Sequence, residues 1–177
     1  MSNSKPGLSR ARTGTESRFQ SRMEALKFWI SVWLPVLIGM VLIAIESTET
    51  FGSNHTSGPL RRLWEALFGT VTDPNWEVIH HSIRKCGHFF AYGFIGLAWL
   101  RAWWMTLPNS RFFTDAALAL FGTGLIASCD EIHQTFLPNR TGSAWDVLLD
   151  CSGALVLELI VYLFVRAFRP KRLARAA

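Results

Sequence analysis

Cysteine is scarce, and the three present, Cys86, Cys129 and Cys151, show no CxxC spacing. An odd number of cysteines in or beside apolar runs reads as small packing residues, which sets aside a disulfide framework and a zinc ribbon. The chain also lacks an HExxH or comparable fixed ligand spacing, a Gly-rich phosphate loop, and a serine in a nucleophile elbow. Without those motifs nothing in the spacing calls for a metal, a nucleotide or any other cofactor. No internal repeat or low-complexity tract is evident.

Apolar residues are abundant. Half of the 177 residues are hydrophobic and eight are tryptophan. Mean hydropathy is +0.22. The length suits one domain. The apolar residues gather into four long runs with few charges, roughly Phe28 to Ile45, Cys86 to Met105, Phe112 to Ser128 and Val147 to Phe168. Each is near the ~20 residues a spanning helix needs. The expected fold is all-α, a polytopic four-helix transmembrane bundle. Pro35 inside the first run is tolerable in such a bundle. Residues 1–27, polar and basic, read as a disordered cytoplasmic tail with a helix starting near Ser21. Residues 28–168 form the membrane domain, and 169–177 a second basic tail. No A-x-A site follows the first run, so the first helix is expected to be retained.

A net charge of +5 raises nucleic acid as a partner, but the basic residues cluster at the ends of apolar runs instead of among stacking aromatics. They instead define a topology. With the N-terminus inside, thirteen of the 18 Lys and Arg lie on the inner side and five (Arg61, Arg62, Arg84, Lys85 and Arg140) outside. The positive-inside rule then gives four spans with both termini cytoplasmic. The tryptophans of WLRAWW fall where an interfacial belt belongs. In the long external segment, Leu60, Leu63, Trp64, Leu67 and Phe68 make one apolar stripe, so a short amphipathic helix at 59–69 is expected against the outer leaflet or the bundle. "TDPNWE" restarts a helix with Asp73 as N-cap and Pro74 at N1.

This topology collects the polar residues at the outer side. Glu46 ends the first span. Lys85, His88 and Tyr92 share a face of the second, at i, i+3 and i+7. Asp130, Glu131 and Gln134 end the third, Arg140 lies in the following loop, and Asp146 and Asp150 open the fourth. Plainer roles exist for most of them. Asp146, three residues after Ser143, fits a capping box. Lys85 can snorkel, Glu46 can mark the membrane boundary, Tyr92 can anchor at the interface, and His80, His81 and His133 can be solvated surface residues. Asp115 reads as a first-turn acid. His88, Glu131 and Asp150 fit plain roles less well, because ionisable groups in apolar runs need a partner or a wet cavity. A structural polar lock between helices is the competing explanation. The set has the residue types for general acid–base work, with His88, Glu131 or Asp130 as acid or base. Lys85 and Arg140 have the chemistry to hold an anionic head group.

Two segments, "RKCGHFFAYGFIGL" (84–97) and "DEIHQTFLPNRTGSAWDVLLDCSGAL" (130–155), resemble the VanZ-like family. Lys85, His88, Phe89 and Tyr92 match its K-x-x-H-F-x-x-Y block. Asp130, Glu131, Gln134, Phe136 and Arg140 match D-E-x-x-Q-x-F-x-x-x-R. Asp146 and Gly153 match D-x-x-x-N-x-x-G, from which Asp150 departs, the family usually having Asn there. The resemblance implies a small multi-pass protein of the bacterial cytoplasmic membrane. The family's founding member is associated with low-level resistance to the glycopeptide teicoplanin. Two functions compete. One is binding of an envelope lipid, a wall precursor or a lipophilic glycopeptide in an outward-facing pocket lined by Glu46, Lys85, His88, Tyr92, Glu131, Gln134, Arg140, Asp146 and Asp150. The other is an enzyme acting on a lipid-linked envelope substrate. Expected partners are the bilayer and such a lipid-linked molecule or glycopeptide, not nucleic acid.

Overall fold

A computed structural model describes residues 6–137 and 140–168. Five α-helices follow in order: α1 (Pro6–Glu46), α2 (Ser53–Phe68), α3 (Asp73–Thr106), α4 (Phe112–Gln134) and α5 (Ala144–Phe168). A 3-10 turn at Glu49–Phe51 links α1 to α2, and no strand occurs among the described residues. The first helix begins at Pro6, well before Ser21. The tail at 169–177 lies outside the described residues.

Three helical stretches are long and apolar enough to cross a membrane: Glu16–Glu46 within α1, Phe112–Gln134 and Ala144–Phe168. The run at Cys86 to Met105 lies inside α3, which is 34 residues long but carries Arg84, Lys85, His88 and Arg101 and is not one of the three. Large apolar side chains face outward along α1 and α5, among them Leu37, Val41, Leu42, Leu159, Ile160 and Phe164. So much exposed apolar surface is untenable in water and suits lipid.

The tightest packing joins α3 to α5. A Cβ on Gly153 would lie 2.0 Å from the Phe89 carbonyl oxygen, and one on Gly96 would lie 2.7 Å from the Ala154 Cβ. Small residues at both crossings let the backbones meet, the usual means of association where lipid removes the hydrophobic drive between helices. Helix α1 packs less closely on α3. Val32 and Val36 bury themselves against Ala102, and Trp33 meets Trp99 and Trp103 edge-on at 5.6 and 5.1 Å. Trp99 and Trp103 therefore belong to an aromatic cluster between helices and not to a belt. Only Trp104 of WLRAWW points outward, beside Phe112.

Pro35 has a local consequence. Lacking an N–H, it leaves the Ser31 carbonyl without its helical partner. Arg101 of α3 donates to that carbonyl at 3.1 Å and to the Val32 carbonyl at 3.3 Å. Asp115 does sit in the first turn of α4, where it accepts from the Ser110 hydroxyl at 2.7 Å.

Helix α2 exists over a longer range than 59–69 and runs through Pro59. Its stripe is not buried: Leu63, Leu67 and Phe68 are exposed. Its other side docks on the start of α3, where the Trp76 indole donates to Ser57 at 2.7 Å and Thr56 bonds His80 at 3.1 Å. Arg61 pairs with Asp73 at 2.7 Å. The N-cap of α3 is Thr72, one residue before Asp73, which instead serves this link between helices. His80 is buried and stacked on Trp76, not a surface residue as its position suggested.

Candidate functional site at the polar end of the bundle

The end of α1, the first half of the apolar part of α3, the end of α4 and the start of α5 meet at one end of the bundle. Every site residue expected from the sequence lies there. Their connections differ from one another, and several differ from expectation.

Tyr92 is almost wholly buried, so it is no interfacial anchor. Its hydroxyl donates to Asp130 Oδ2 at 3.0 Å, and the Gln134 amide donates to the same oxygen at 3.0 Å. Its ring stacks on His88 at 6.1 Å. His88 Nδ1 lies 3.6 Å from Asp150 Oδ1, and Asp150 is completely buried with, among the described residues, no hydrogen bond to either carboxylate oxygen. His88 and Asp150 thus form a facing pair across the α3–α5 seam, held by the close approach at Gly153 one turn along.

Glu131 is 4 % exposed. Its Oε2 accepts the Ser143 backbone N–H at 2.7 Å, while Oε1 is buried without a partner. This replaces the expected capping box. Ser143 Oγ still accepts from the Trp145 N–H at 3.2 Å, but Glu131 takes the Ser143 N–H that Asp146 was expected to hold. Asp146 pairs with Lys85. The loop before α5 lies directly on the end of α4, since a Cβ on Gly142 would stand 2.1 Å from the Glu131 carbonyl oxygen.

Arg140 is engaged in part by backbone, while its Nε is buried without a hydrogen-bond partner among the described residues. Its Nη2 donates to the backbone carbonyls of Glu46 at 3.1 Å and Thr48 at 3.0 Å, so it ties the loop to the C-terminal end of α1, where a cation is favoured. His133 is exposed but not merely solvated, being within 3.0 Å of the Ser47 hydroxyl through Nδ1.

Two adjoining clefts open here. One of about 310 Å³ is lined by His81, Arg84, Lys85, His88, Gln134, Arg140, Thr141, Ser143 and Asp146. The other, of about 180 Å³, adds Glu46, Phe51, Thr56 and Leu60 and shares Arg84, His88 and Arg140 with the first. Arg84 is therefore central to both, though the sequence reading left it out. It is half-buried and, among the described residues, makes no ion pair or side-chain hydrogen bond. Burial, and then the nearby Arg140 guanidinium, pull its pKa below the usual arginine value, and the Glu46 and Asp146 carboxylates offset this only in part. A signal was present: residues 81, 84, 88 and 92 follow i, i+3, i+7, i+11 on the same helical face as Lys85.

The mouth of the larger cleft carries three cations against one acid, with Asp130, Glu131 and Asp150 buried nearby. Among the described residues, no group of three or more His, Cys, Asp or Glu side chains is arranged to hold a metal ion. The free groups are a cation, an imidazole–carboxylate pair and a buried carboxylate oxygen. They suit anion binding and proton transfer.

No curated protein and no solved structure matches the chain. A family model described as VanZ/LLP1 matches residues 32–165, from the C-terminal part of α1 through nearly all of α5. That match takes in every residue of the polar end, and with it three helices apolar enough to span a bilayer: the chain is a membrane protein of the VanZ/LLP1 family.

Proposed function

We propose that this protein sits in the bacterial cytoplasmic membrane with four spans, both termini cytoplasmic and the polar end facing outward, and that it binds there the anionic head group of an envelope molecule. The fourth span is the apolar part of α3. The basic residues at the opposite end of the helices support the orientation. Arg84 carries the binding reading. Among the described residues this half-buried guanidinium has no direct ion pair, only the field of Glu46 and Asp146, and at the junction of two clefts a ligand anion would lower its cost. An envelope lipid, a wall precursor or a lipophilic glycopeptide such as teicoplanin offers that charge together with an apolar anchor.

The His88–Asp150 pair and the free Glu131 oxygen favour a second reading, an enzyme acting on a lipid-linked envelope substrate, with Glu131 or His88 as acid or base. The deciding experiment expresses wild type, Arg84→Gln and Glu131→Gln at matched membrane levels in a glycopeptide-sensitive Gram-positive host. Inhibitory concentrations of teicoplanin and vancomycin are then compared. Selective protection against teicoplanin that is lost in Arg84→Gln and kept in Glu131→Gln supports binding. Loss in both supports the catalytic reading. Protection that survives Arg84→Gln overturns the role of the cleft.

A further inference from the structure

We infer that the head-group site continues into a lateral groove between α1 and α3 that holds the hydrocarbon chain of the same ligand, a single-chain polyprenyl-type lipid phosphate. This rests on the head-group reading above and adds the ligand's class.

The groove has a volume of about 530 Å³, within the range of ligand pockets. It runs along α1 from Ser31 to Glu46. Gly39, Ala91 and Ala98 are its small, half-buried residues, and Leu34, Leu42 and Phe94 are its exposed ones. The small residues put little side-chain bulk into the groove. The groove opens sideways, where a lipid would enter without leaving the bilayer.

Continuity supplies the occupant. Glu46 lines both the groove and the smaller cleft, and that cleft shares Arg84 and Arg140 with the larger one. A path therefore leads from three cations, past Glu46, into a lining that is apolar except for Ser31 at its far end. An anion joined to an apolar chain matches that order. Length selects among such molecules. Fifteen residues of helix advance roughly 22 Å, more than the ~15 Å of a single hydrocarbon leaflet. A trough between two helices also suits one chain better than a pair. Both features favour a long polyprenyl phosphate over a two-chain phospholipid.

The test uses the full chain in nanodiscs of uncharged lipid, with binding read by native mass spectrometry. Three probes are compared: a long polyprenyl phosphate, a short prenyl phosphate with the same head, and phosphatidylglycerol. Because lipid tails are as apolar as the groove, the chain gains through packing alone, and a preference of about five-fold or more for the long phosphate over either other probe is expected. Ala91→Phe fills the groove from its base and Leu42→Trp from its exposed rim, where folding is not at risk. Each should remove that preference while short-chain binding holds, whereas Arg84→Gln should weaken both phosphates alike. Equal binding of long and short phosphate, or of phosphatidylglycerol, overturns the groove and leaves the head-group site standing. Long-chain preference surviving both groove variants does the same. Failure of every probe to bind overturns the head-group reading as well.

Discussion

Replacing Gly153 with alanine tests whether the α3–α5 seam holds the polar site together. The new Cβ would stand 2.0 Å from the Phe89 carbonyl oxygen and 2.9 Å from its carbon, both backbone atoms. An ordinary C···O approach is about 3.3 Å, so the helices must part by roughly 1.3 Å at that level. One turn away, His88 and Asp150 are already 3.6 Å apart. The same displacement carries them to about 5 Å, beyond direct contact. Overpacking of a close helix crossing costs about 1–3 kcal/mol. The assay is thermal unfolding of the detergent-solubilised chain, followed by near-ultraviolet circular dichroism of the Trp33–Trp99–Trp103 cluster. Gly87→Ala, on the same seam-forming helix α3, is the control. Nothing lies within 4 Å of its Cβ position, so alanine there should add about 0.5–1 kcal/mol through helix propensity. Opposite signs for the two substitutions are expected. A Gly153→Ala protein that melts with wild type would refute the claim that backbone contact at this crossing positions His88 against Asp150.

Three further outcomes follow from the same geometry. Arg101→Gln should destabilise by about 1–3 kcal/mol, by stripping the Ser31 carbonyl of its donor. In a Pro35→Ala background, where residue 35 regains an N–H for that carbonyl, a double-mutant cycle on chemical unfolding should show the cost shrinking. Glu131→Ala should cost about 1–3 kcal/mol because it orphans the Ser143 N–H, while Glu131→Gln, keeping an acceptor, should cost less than half of that by the same measurement. At the α2–α3 junction, outside the apolar spans, burial lowers the His80 pKa below 6.5, with Arg84 and His81 adding to it. The unfolded imidazole then binds a proton more readily than the folded one. The contribution of His80 is full above about pH 6.5 and is lost as pH falls towards the lowered folded value. Protection factors of α2 amides, corrected for the intrinsic pH dependence of exchange, should therefore fall below pH 6.5, and His80→Gln should flatten that dependence.

Helices, and three of the four expected spans, were legible because a spanning segment is a local property, set by length and hydropathy over ~20 residues. The apolar runs accordingly lie inside α1, α3, α4 and α5. Boundaries were less legible. Helix α1 starts earlier than its polar composition suggests, and the α3 N-cap falls on Thr72 because Asp73 is engaged by Arg61. The residues of the polar end were also legible, since helical spacing and alternating direction bring Glu46, His88, Asp130, Glu131 and Asp150 to one end.

Partnership at that end was not legible. A side chain's partner depends on which helix faces it and at what distance, and nothing within a single run of sequence carries that. Sequence alone left Asp146 a cap or a pocket residue, Tyr92 an interface anchor or a pocket residue, and Arg140 a candidate to hold an anion. Tertiary packing gave Asp146 to Lys85, gave the Ser143 N–H to Glu131, turned Arg140 onto the carbonyls closing α1, and buried Tyr92 on Asp130. Among the described residues it also left Arg84 without an ion pair between two clefts, because the nearby Asp146 is taken by Lys85. Composition determined where the polar groups gather. Three-dimensional proximity decided which of them satisfy one another and which remain free to act.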